Sequence, residues 1–115
     1  MRISTFLFAL TLSATAFAQS PLTTTFASNN GQAGNMFDIV ALNASGITID
    51  SFDVNVDPGT WDLEVYKLTI PGPYLPSVNT AGDWTLVGSA SGVVSNGLNN
   101  PTQLPICVNE FIPSG

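Results

Sequence analysis

Thr60-Trp61-Asp62-Leu63-Glu64-Val65-Tyr66-Lys67-Leu68 carries the clearest structural signal in the chain. Trp61, Leu63 and Val65 fall on one side of a period-two pattern, with Asp62, Glu64 and Tyr66 on the other. Such alternation is the signature of a half-buried β-strand with one dry and one wet face. Upstream, Ile47 to Val56 is also β-rich, but its apolar residues shift from odd positions (Ile47, Ile49) to even ones (Phe52, Val54, Val56). A strand of strict period two cannot place both sets on one face, so a β-bulge is expected near Asp50-Ser51. The joining Asp57-Pro58-Gly59 suits a type II turn, a poor match for a tight hairpin, and predicts a wider loop crossing between sheets.

Further strands are expected at Thr23 to Phe26, at Asn35 to Leu42 inside a sheet, at Trp84 to Val87, at Val93-Val94 and at Ile106 to Ile112. Asn43-Ala44-Ser45-Gly46 has hairpin-loop composition and matches the N-glycosylation pattern. Ile70 to Asp83, with three prolines and two glycines, predicts a long ordered loop. No ten-residue segment beyond the N-terminal stretch shows helical spacing of apolar residues. Six or seven short strands with frequent turn signals predict an all-β fold: an antiparallel β-sandwich, jelly-roll or immunoglobulin-like. Trp61, Phe37, Phe52 and Trp84 are the expected core anchors.

The N-terminus predicts an address. Met1-Arg2 precedes an apolar run from Ile3 to Leu12, and Ala16-Phe17-Ala18 offers the small residues of a signal-peptidase site, so residues 1–18 are read as a signal peptide cleaved after Ala18. The apolar run is too short to span a bilayer, which needs roughly 20 residues. Residues 19–115 would form a single secreted, extracellular or periplasmic domain without a membrane span.

The whole chain of 115 residues is 44% hydrophobic and 9% charged, with 8 acids against 2 bases and a net charge of -6. This balance disfavours nucleic acid and anionic membranes, whose affinity comes from Lys and Arg. With no His and one Cys, the Ser-His-Asp and Cys-His pairings and the usual zinc sites cannot be assembled. Cys107, lacking an intrachain partner, is expected to be a small buried hydrophobe between Ile106 and Val108.

Thr24-Thr25-Phe26, Asn29-Asn30-Gly31, Gly34-Asn35-Met36-Phe37-Asp38-Ile39, Ile47-Thr48-Ile49, Phe52-Asp53-Val54, Val65-Tyr66 and Trp84 with Gly88 follow an order that resembles a family of secreted β-sandwich modules. These occur in planctomycete-like bacteria and in some marine algal proteins, frequently as repeats. The resemblance spans roughly residues 23 to 112 and implies a sandwich fold but no established activity. In that family a further turn and an aromatic-rich strand close the sandwich, whereas this sequence stops at Pro113-Ser114-Gly115. The expectation is a C-terminally truncated product, a fragment, or a sandwich completed by a partner strand at an unpaired sheet edge.

No catalytic, cofactor-binding or metal-binding residue is assigned, and the chain is not expected to be an enzyme. Asp50, Asp53, Asp57, Asp62 and Glu64 are oxygen-rich enough to suggest Ca²⁺, but their spacing fits no known loop, and alternating acids on a wet strand are ordinarily just solvated. Paired carboxylates could serve glycoside hydrolysis, but acids at wet positions of so small a domain lack the raised pKa and the cleft that it needs. Among Trp61, Tyr66, Tyr74 and Trp84, Tyr74 in the Pro-Gly-Pro-Tyr-Leu-Pro loop is the expected exposed sugar-stacking residue. The expected function is a non-catalytic secreted or cell-surface structural or adhesion module with a protein partner; the alternative is a carbohydrate-binding module for an extracellular glycan, assisted by calcium.

Overall fold

A computed structural model describes residues 22–24 and 33–115. The signal-peptide region and half of the predicted first strand, Thr25 and Phe26, lie outside these residues; Leu22 to Thr24 are not in a strand. The regular structure of the described residues is almost entirely β: β1 Ile47–Ile49, β2 Asp53–Val54, β3 Thr60–Leu68, β4 Trp84–Val94, β5 Thr102–Gln103 and β6 Glu110–Ile112, with two single-turn 3₁₀ segments at Leu75–Ser77 and Ala81–Asp83.

These strands form three antiparallel pairs, β1 with β6, β2 with β5 and β3 with β4. The first two pairs are one interrupted ladder. Ile49 faces Glu110 and Asp53 faces Gln103, so four steps along one strand answer seven along the other. The interruption falls at Asp50-Ser51, where the apolar phase changes, but the three extra residues belong to the partner strand. Two local features absorb them. Ile106 N–H donates to the Leu104 carbonyl at 2.8 Å, a γ-turn centred on Pro105, whose ring holds φ close to what that turn requires. Asn109 then adopts φ +46, a conformation that asparagine tolerates better than most residues. Between these points Leu104 N–H donates to Phe52 O and Val108 N–H to Asp50 O, so the two stretches stay in contact through the irregularity.

The β3–β4 ribbon is longer than the sequence predicts. Trp84 to Val94 is one continuous strand, not two short pieces, and it crosses two register shifts opposite β3. At the first, Ser91 and Gly92 face the single residue Asp62, whose carboxylate accepts the Gly92 N–H at 2.9 Å. Gly92 has φ +70, the conformation for which glycine is suited at a bulge. At the second, Val87 is the extra residue between Leu86 and Gly88. The chain crosses from β2 in one ladder to β3 in another through Asp57-Pro58-Gly59, as the turn chemistry predicts.

Ile70 to Asp83 is an ordered connection. Ser77 Oγ donates to Asp83 Oδ2 at 2.7 Å, Trp84 Nε1 donates to Ser77 O at 2.9 Å, and Thr69 N–H closes the base onto Asp83 O.

Asn35 to Leu42 departs from expectation. It is not a strand within a sheet; a single parallel bridge, Ala41 to Ser114, is its ladder contact. The expected hairpin partner, β1, is taken by β6. Asn43–Gly46 is still a turn, closed by Gly46 N–H on Asn43 O, but it joins no hairpin. The segment is held by separate points: Phe37 meets Phe52 edge-on at 6.1 Å, and Asp38 Oδ1 accepts the Tyr74 N–H at 3.0 Å.

The centre of the packing is Leu104, Ile106 and Val108, with Ile49, Phe52, Val54, Leu63, Val65, Val87 and Ala90 against them. Thr102, Leu104, Ile106 and Val108 are buried and the residues between them exposed, a strand-like alternation carried past Pro105. Of the expected anchors, Phe52 packs against this cluster and Trp84 is half-buried. Phe37 is 57% exposed because its segment joins no ladder, and Trp61 is 39% exposed at the end of the ribbon, its indole N–H turned back to Asp57 O. Cys107 is exposed, not buried, because the alternation that buries Ile106 and Val108 turns it outward.

Candidate functional site

The outer face of β3 places Glu64 and Tyr66 side by side, two residues apart on the same side of the strand. The Tyr66 hydroxyl donates to Glu64 Oε2 at 2.8 Å. That hydrogen bond to the carboxylate, then desolvation, then the nearby negative charge raise the Tyr66 phenol above its ordinary value. The next residue, Lys67, forms an ion pair with Glu110 and so ties β3 to β6. Both groups are solvent-accessible, and an exposed pair of this kind contributes no more than about 1 kcal/mol.

Several other carboxylates serve the backbone or its loops. Asp62 holds the bulge amide, Asp38 holds Tyr74, and Asp83 accepts from Ser77. The five acids considered for Ca²⁺ are not gathered into a centre: among the described residues no group of three Asp, Glu, Cys or His side chains is placed to hold a metal ion. The aromatic candidates also change places. Tyr74 is half-buried, whereas Trp61 and Tyr66 are exposed on one strand.

An open cleft of about 3990 Å³ is lined by Ile49, Phe52 and Val54 from the interrupted ladder, by Leu63, Val65, Val87 and Ala90 from the ribbon, and by Met36, Phe37 and Val40 from the unladdered segment. It is several times the roughly 300–1,000 Å³ typical of small-molecule pockets. Seven of the eight acids border it, Asp38, Asp50, Asp53, Asp57, Asp62, Glu64 and Glu110, against one base, Lys67, with Asp62 and Glu64 on the face of β3 opposite Leu63 and Val65. A second, shallow hollow of about 250 Å³ lies between the end of β3 and the Ile70–Asp83 connection. Neither ribbon has a third strand hydrogen-bonded to it among the described residues.

Sequence reasoning did not find this cleft. Its one available signal was the surplus of apolar residues on both faces of Asn35 to Leu42, a surplus that a single covered face does not need. Among the described residues, no helix is long and apolar enough to cross a membrane. No family model, curated protein or solved structure matches the chain.

Proposed function

We propose that this chain is a non-catalytic, secreted or cell-surface structural or adhesion module, built on a sandwich-like β frame similar to the exported bacterial modules it resembles, and that it acts through contact with other polypeptides. The observation that carries this reading is the open apolar cleft flanked by two-stranded ribbons. Apolar surface on that scale and strand edges left unpaired among the described residues are characteristic of protein-binding surfaces. The test screens the full chain in parallel against a glycan array and a displayed random-peptide library. Enriched peptides with glycans at background support the reading; glycan hits without peptide enrichment overturn it.

One observation favours a second reading, a carbohydrate-binding module. Tyr66 is 47% exposed on the outer face of β3, where its ring is open to stacking by a sugar. The same glycan array decides it, and Tyr66→Ala should then abolish every hit.

A further inference from the structure

We infer that the cleft receives an extended polypeptide segment in which apolar residues alternate with Lys or Arg, added as a strand to one of the ribbons. This deepens the protein-contact reading and rests on it. Four observations converge.

The cleft is open and extended, and its half-buried walls include Phe52, Leu63, Val65 and Val87. An occupant that buries these side chains must itself be apolar. The ribbon edges lack a third strand among the described residues, so an extended chain can gain main-chain hydrogen bonds while alternate side chains enter the cleft. The occupant's remaining side chains fall on the outer side of the ribbon, where Asp62 and Glu64 stand, and the acids select their sign. Seven carboxylates stand against Lys67, whose ammonium group already engages Glu110. An acidic strand would add to this excess of negative charge, whereas Lys or Arg at alternate positions would complement it and accelerate encounter.

The same charge argument weighs against a second copy as occupant. Each copy carries a net charge of -6, so two clefts brought together would oppose acid to acid.

The test uses the full chain and two fluorescein-labelled peptides, Lys-Val-Thr-Val-Lys-Ile-Lys-Val-Lys and its counterpart with Glu at every Lys. Fluorescence anisotropy at low and at high salt gives the affinities. The basic peptide should bind at least about tenfold more tightly than the acidic one, and its affinity should fall severalfold as salt screens the carboxylates. The double variant Asp62→Asn, Glu64→Gln keeps acceptors for Gly92 N–H and the Tyr66 hydroxyl, so it should melt as the parent does while binding the basic peptide severalfold more weakly.

Equal affinity for the two peptides, or binding of neither, overturns the inference. So does a dimer, seen by light scattering, that occludes the cleft and that the basic peptide does not dissociate. If the library yields peptides without basic alternation, the inference fails and the protein-contact reading stands. If only glycans are bound, both fall together.

Discussion

Gly88 and Ile106 meet where the ribbon touches the interrupted ladder, and a double-mutant cycle at this contact tests the packing directly. A Cβ built on Gly88 would lie 2.6 Å from Ile106 Cγ2. Gly88 carries no positive φ, so Gly88→Ala adds a methyl group without backbone strain. Ile106 is 6% exposed and β-branched, hence stiff at χ1, and cannot turn Cγ2 aside cheaply. Overpacking of this kind costs about 1–3 kcal/mol, offset by about 0.4–1 kcal/mol from the reduced freedom of the unfolded chain, for a net loss of about 1–2 kcal/mol. Ile106→Ala removes the obstructing methyl and leaves a cavity at a cost within the ~2–5 kcal/mol range, here about 3 kcal/mol.

In the double variant the new methyl enters the space that the isoleucine vacated. The two losses should therefore not add: the double variant should be destabilised by about 3 kcal/mol, with a favourable coupling of about 1–2 kcal/mol. Urea unfolding followed by circular dichroism reads each corner of the cycle, with an unchanged m-value as the check that only stability has moved. Additivity within about 0.5 kcal/mol would refute the contact and, with it, the placement of the ribbon on the ladder.

Three further outcomes follow from individual groups. Tyr66 should titrate above 10.0, the ordinary tyrosine value, and Glu64→Gln should bring it back toward that value in an absorbance titration of the phenolate. Because its folded pKa is raised, the associated stability is present below the unfolded pKa and lost as pH rises through the folded one; Tyr66→Phe should remove that part of the alkaline loss. Cys107 should react fully with a thiol reagent in the native protein at a rate close to that of the unfolded chain; protection by orders of magnitude would contradict its outward placement. Excess Ca²⁺ should leave the melting temperature unchanged, since the acids do not converge on a centre; a rise of several degrees would require a rearranged acidic loop.

How far the chain could be read without coordinates depended on whether the determining interactions were local. Alternation in Thr60 to Leu68, the phase change at Asp50-Ser51 and the turn chemistry of Asp57-Pro58-Gly59 are set by neighbours within a few residues, and all three reappear in the structure. Trp84 to Val94 reads from sequence as two short strands because two bulges shift its phase, and period two cannot be followed through Gly88 to Gly92 without knowing that Asp62 meets two residues there. The Leu104, Ile106 and Val108 alternation was overlooked because Pro101 and Pro105 look like loop markers, although a γ-turn accommodates Pro105.

The sequence by itself determined that this protein is a β protein lacking the parts for His-based or multi-Cys chemistry, because composition and side-chain period act locally and need no partner. Only the tertiary structure decided which strands pair. Pairing is a competition between segments far apart in the chain, and Ile47 to Ile49 took Glu110 to Ile112 in place of the adjacent Asn35 to Leu42. That choice left Phe37 outside the ladders, a consequence of register that no local pattern contains.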